Sequence, residues 1–243
     1  MPSFTYGTTT FDYNLEPKTK SNEVNISVEW LDGIKVTAPP EMNQEQLNEL
    51  LYKKAPWILE KWKAFKDIER KPAPKEFVSG EKLSYLGRNY SLKVIAGETE
   101  HVKLKFRNGR FISIIPTNIS KEEKKCDLYN AFKKWYFTHG DKKIKERAEI
   151  YTKKMDVFPS KIRLKEQKMR WGTCTPKGDI YLNWRIIMAP MAIVDYLLVH
   201  ELAHIKHPNH SKEFWQLVRS VLPDYEERKE WLRINGPTLT IEY

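Results

Sequence analysis

Apolar and polar residues alternate at several places in the first half of the chain, and each such run predicts a strand. In "VKLKF" the alternation puts Val102, Leu104 and Phe106 on one face and Lys103 and Lys105 on the other. The run passes through Asn108-Gly109, a dipeptide suited to a two-residue turn, into "RFISII", so a hairpin is expected. "LSYLGRNYSLKVI" reads as another hairpin, and "VNISVEW" and "IKVTA" flank Leu31-Asp32-Gly33 in a third. After the third, Asn43 and Gln46 have helix-start spacing and predict a helix to about Lys54. Pro56 suits the first turn of a separate helix bearing Trp57, Ile58, Lys61 and Trp62. The charged, proline-rich "ERKPAPKE" reads as a connector.

From Ser120 the apolar period lengthens. "SKEE" has capping-box spacing, and the helix it starts carries Leu128, Phe132, Trp135 and Tyr136. Gly140 is expected to stop it, with another helix continuing to about Met155. "KIRLKEQ" and "DIYLNW" read as strands, the second entered through the turn "TPKGD". A helix follows Pro190, and "AIVDYLLVHELAHI" is apolar nearly all round, as a buried helix is. Two short helices close the chain, about Lys212–Val221 and one capped by Asp224 with Glu227 that ends before Gly236. No repeat is evident.

Composition narrows the class. Of 243 residues, 40% are hydrophobic and 12% aromatic, which is globular rather than disordered. Lys and Arg outnumber Asp and Glu by 42 to 32, a net charge of +10, which favours anionic partners and makes DNA contact through a basic surface a candidate property. Cys126 and Cys174 are far apart and outside any CxxC pattern, so no disulfide framework is expected and a reducing compartment is the default. The start "MPSFTYGTTT" has no signal-peptide character, and "IIMAPMAIVDYLLV" is interrupted by Pro190 and Asp195. The expectation is a cytoplasmic protein with no membrane association.

The chemistry concentrates in "HELAHIKHPNH", residues 200–210, which holds four of the six histidines. His200 and His204 are four apart, so on a helix they share a face, with Glu201 beside them. Neutral imidazoles at this spacing suit zinc, which in catalytic sites takes three protein ligands and a water. A carboxylate next to such a pair can serve as general base, the role expected of Glu201. For the third ligand the spacing favours His210. His207 precedes Pro208, which ends helical geometry, so it is expected to line the site or cap the helix end. Glu213 and Glu227 are weaker options. The later methionine and the glycine of HExxHxxGxxH are both missing, which excludes an ordinary metzincin.

"RWGTCTPKGDIYLNWRIIMAP" and "VDYLLVHELAHIKHPNHSKEFW" resemble the YgjP-like metallopeptidase family, relatives of the SprT-like and WLM zinc proteases. "GIKVTAP", "KKAPWILEKW", "YLGRNYSLKV" and "PDYEERKEWL" extend the resemblance over most of the chain. The resemblance implies a zinc-dependent hydrolase with one Zn2+ on His200, His204 and His210, Glu201 as base, and a polypeptide substrate. The fold class it implies is α+β, with a zincin-like catalytic core (residues 120–243) and an N-terminal mostly β accessory region (1–119). By likeness to zincins, the "DIYLNW" strand would border the cleft and pair with an extended peptide, making Asn183 and Arg185 candidate substrate-binding residues. Tyr196 and His207 are candidates to contact the substrate carbonyl. Trp171 and Gly172 are expected to shape a tight strand connection, and Cys174 to be a small buried hydrophobe. Two other functions fit the residues: a metal-dependent nucleotide or phosphate-ester hydrolase, and a nucleic-acid-binding protein whose four clustered histidines close a structural metal site.

Overall fold

The computed structural model describes residues 2–17, 24–29, 33–66, 72–167, 171–175, 177–208 and 210–243. Its contacts divide the chain into two units, 1–70 and 71–243. The division falls inside "ERKPAPKE" and not at Ser120, because the strands between Lys82 and Pro116 share a core with the helix that Ser120 starts.

The first unit contains β1 (Ser3–Tyr6), β2 (Thr9–Pro17), β3 (Asn25–Glu29) and β4 (Gly33–Ala38), in the order β1-β2-β4-β3, followed by α1 (Gln44–Lys66). β3 and β4 pair antiparallel as expected; Leu31 and Asp32 of the expected turn lie outside the described residues. The helix-start box forms: Gln46 N donates to Asn43 Oδ1 at 2.8 Å and Asn43 N to Gln46 Oε1 at 3.2 Å. Pro56 does not begin a second helix but lies inside α1. Leu47, Leu51, Ala55 and Ile58 form one buried stripe on both sides of it, against Phe11, Tyr13, Ile34 and Val36. Burying that stripe outweighs the roughly 3 kcal/mol an interior proline costs.

The second unit opens with β5 (Lys82–Tyr85), β6 (Arg88–Gly97), β7 (Lys103–Arg107) and β8 (Arg110–Pro116), in the order β5-β6-β8-β7, and then α2 (Lys121–Met155). Both expected hairpins form, and Asn108 and Gly109 take the positive φ of 50° and 69° that a tight hairpin turn requires. This arrangement repeats that of the first unit: two antiparallel hairpins, parallel inner strands and a long helix behind a side-chain cap. Residue identity does not show the repeat, but both sequences carry the same punctuation, an Asp-Gly or Asn-Gly pair followed by a proline and then a capping-box spacing.

α2 runs unbroken through Gly140. Gly140 is buried, and a Cβ there would come within 3.2 Å of Ile187 Cγ1 and closer still to Leu164. The glycine therefore serves close packing and does not end the helix. Behind α2 lie β9 (Lys161–Lys165), β10 (Gly172–Cys174) and β11 (Asp179–Asn183), in the order β10-β11-β9, then α3 (Met191–Ala203), α4 (Lys212–Val221) and α5 (Tyr225–Asn235). Asp224 stands at the start of α5, but its carboxylate pairs with Arg228 at 2.9 Å and does not cap the backbone.

α3 is buried on nearly every side, and its charged Asp195 is held by Arg147 of α2 through two 2.7 Å hydrogen bonds. The fork-to-carboxylate geometry fixes α3 against α2. Asp195→Ala should cost about 1–2 kcal/mol in urea unfolding, because it removes two charge-assisted hydrogen bonds while the partly exposed Arg147 is left to water. The molecule is a mixed α and β protein, and among the described residues no helix is long and apolar enough to cross a membrane.

Candidate metal centre

α3 delivers His200 and Glu201 in its last turn, and His204 is its C-cap. The helix ends there, through turns at 204–206 and a His207 N to Ala203 O bond of 3.0 Å. Pro208 cannot continue it, and the chain comes back at His210. Ser211 then caps α4 by accepting from Phe214 N. The result is that one nitrogen from each of His200, His204 and His210 lies within 4.8 Å of the others. His207 is not in that cluster. Glu213 instead accepts from the Ser211 hydroxyl at 2.7 Å.

The tautomer of His204 suits a cation. His204 Nδ1 lies 3.2 Å from the His207 carbonyl, which can only accept, so Nδ1 carries the hydrogen and Nε2 is left as a lone pair. His200 Nε2 and His210 Nε2 approach to 3.0 Å. Burial, reinforced by the neighbouring imidazoles, pushes His200 down to about 3, so it stays neutral. His210 is lowered by the same causes. Phe214 and Trp215 wall the cluster: Phe214 lies 4.6 Å from the His204 ring, and Trp215 stacks on His210 at 5.6 Å. The histidine motif does not point to this pair; the signal in the sequence is two aromatics three and four residues after a Ser cap, which mark an inward-facing helix start.

Glu201 is 4% exposed, and burial pushes its carboxyl up to about 7. Its neighbour across the gap is the backbone of β10. A Cβ on Gly172 would sit 2.6 Å from Glu201 Cδ and 2.7 Å from Cγ, so the carboxylate occupies the space a side chain would fill. An open cavity of about 630 Å³ is lined by Gly172, Cys174, Glu201 and the three histidines, among others. Cys174 is thus half-buried at the cavity wall and not a core hydrophobe, and burial raises its thiol.

The other expected substrate contacts lie elsewhere. β11 is the middle strand, paired with β10 on one side and β9 on the other, so it has no edge for a peptide; β10 borders the cavity. Asn183 is buried with both ends of its amide engaged, Nδ2 to Gln167 O at 2.7 Å and Oδ1 from Arg185 N at 3.1 Å, where it caps a 3-10 turn. Arg185 lies over the Trp184 ring at 5.8 Å and does not line the cavity. Tyr196 is 5% exposed and meets the His200 ring edge-on at 6.0 Å, so it supports a histidine and does not reach into the cavity. Trp171 shapes the connection as expected: its carbonyl accepts from Asn183 N at 2.7 Å, and its ring leaves no room for a Cβ at Gly236.

Three convergent imidazoles beside a buried carboxylate at an open cavity are the makings of a metal-dependent hydrolase. The chain belongs to the YgjP-like metallopeptidase domain family, whose model matches residues 22–235. It is similar to one solved structure, the metallopeptidase zymogen of Pyrococcus abyssi abylysin, at 24% identity over 41% of this chain and 99% of that chain, with a TM-score of 0.36. No curated protein sequence matches it.

Proposed function

We propose that the protein is a zincin-like peptidase that holds one zinc ion on His200, His204 and His210 and uses Glu201 as general base. The observation that carries this reading is the convergence of the three imidazoles on the cavity that Glu201 also lines. Neutral nitrogen donors of this kind match zinc, and His204 is oriented by the His207 carbonyl as ligating histidines are. Bound there, zinc would polarise a peptide carbonyl and bring the pKa of a water to about 7. Glu201 accepts the proton that the attacking water releases and returns it to the leaving nitrogen. Burial raises the proton affinity of its carboxyl, which favours its taking up that proton.

Polypeptide is the substrate class we assign. β10 lines the cavity and pairs on one side with β11, so its other side offers backbone donors and acceptors to an extended chain. Phosphate-ester hydrolysis is less well supported, because no carboxylate joins the histidine cluster among the described residues. A structural site closed by four histidines is also less well supported, since His207 contributes its carbonyl and not its ring.

Zinc titration tests the ligand set. The expected result is one zinc per chain for the wild type and a loss of at least about a hundredfold in affinity for His200→Ala, His204→Ala and His210→Ala. Wild-type affinity in all three variants would remove the basis of the reading.

A further inference from the structure

The sheet that carries β10 at the cavity has β9 at its other edge, two strand spacings or about 10 Å away. Along β9, Leu164 is buried and Ile162 half-buried, while Lys161, Arg163 and Lys165 all point to solvent. Tyr181 of β11 pairs in register with Arg163. Its ring lies between two ammonium groups, Lys161 Nζ at 5.4 Å and Lys165 Nζ at 5.1 Å from the centroid. Acids answer little of this charge. Asp179 takes Lys161 at 3.0 Å, and Arg163 and Lys165 make no ion pair among the described residues. The face runs on into a cavity of about 530 Å³ lined by Lys145, Lys161, Arg163 and a single acid, Glu149. Phe158 stands in its wall and is 85% exposed, the most exposed of the large hydrophobic side chains among the described residues.

We propose that this face binds single-stranded nucleic acid, with Lys145, Lys161, Arg163 and Lys165 along the phosphates, Tyr181 holding Lys161 and Lys165 in place, and Phe158 as the platform for a base. A row of cations beside an accessible aromatic ring fits an unpaired strand, whose bases are free to stack; in a duplex they are not. An acidic protein would satisfy the cations but give the exposed Phe158 ring no comparable partner. The site is separate from the histidine cluster and needs no metal.

A second strand supplies the control. β7 also presents three exposed cations, Lys103, Lys105 and Arg107, at a sheet edge, but Ile112 and Ile114 lie opposite the two lysines and no aromatic stands between them. The experiment is fluorescence anisotropy of a labelled oligothymidylate of about twenty nucleotides with the full-length protein over a range of salt. Binding should weaken with salt at a log–log slope of about −0.7 per phosphate contacted. The triple reversal Lys161→Glu, Arg163→Glu, Lys165→Glu should weaken it at least tenfold. The β7 triple Lys103→Glu, Lys105→Glu, Arg107→Glu, which changes net charge equally, should leave it within about threefold. Phe158→Ala alters only an exposed ring, so it cannot fail by misfolding; it should weaken binding about tenfold with the salt slope unchanged. The proposal is overturned by no binding at low salt, by equal losses for the two triples, by an unaffected Phe158→Ala, by tighter binding to a duplex of the same length, or by polyglutamate competing as well as the oligonucleotide.

Discussion

Glu201→Gln should keep its zinc and lose about 10²–10⁴-fold in kcat/KM on an unfolded protein substrate. The substitution changes almost nothing but proton affinity. Glutamine has the same length and fills the same 4% exposed position between α3 and β10. It relieves the cost of burying a charge, the cause that raises the Glu201 carboxyl, so the fold should not suffer. The metal nitrogens belong to His200, His204 and His210 and are unchanged. Steady-state cleavage and zinc content measured on the same samples make the comparison. Activity within a few-fold of wild type, at full zinc occupancy, would take the general base away from Glu201.

Gly172→Ala should be nearly as damaging, through geometry alone. Its Cβ would sit 2.6 Å from Glu201 Cδ, well inside van der Waals contact. Neither side can give way easily. Gly172 is held in the ladder opposite Leu182, and Glu201 rides on a helix whose neighbours Leu198, Val199 and Leu202 are fully buried. The flexible part is the carboxylate itself, which must rotate away from its working position. A misplacement of about 1 Å costs on the order of a hundredfold in rate. Zinc content should stay at one per chain, because the three atoms nearest the new methyl all belong to Glu201 and not to a ligand. The two substitutions should not add: in the Glu201→Gln background, Gly172→Ala should reduce the residual activity less than threefold. A full further hundredfold loss there would mean that Gly172 acts on the substrate strand and not through Glu201.

The parts of this arrangement that were legible in the sequence are those encoded locally. The His200, Glu201 and His204 spacing needs only a helix to bring the groups together, and Pro208 needs only its ring to force the turn that returns His210. The Asn108-Gly109 turn and the Ser120–Glu123 box are equally local. What could not be read was set by long-range packing. Pro56 and Gly140 look like helix boundaries, yet a continuous buried stripe carries α1 through the first, and Leu164 and Ile187 crowd against α2 at the second. The strand β10 has three residues, too few to show alternation, and β11 reads as the cleft strand until its two partners are known. The same holds for Asn183, whose polarity suggests a substrate contact but whose amide is engaged inside the fold.

The most direct test of the account is whether the zinc-loaded full-length protein cuts an unfolded polypeptide at peptide bonds. New amino termini would be identified by mass spectrometry, with chelator-stripped protein and Glu201→Gln run beside the wild type. Cleavage by the zinc-loaded wild type alone, restored to the stripped sample when zinc is returned, is the predicted result. No cleavage by a protein that holds one zinc on its three histidines, or equal cleavage by Glu201→Gln, would contradict it.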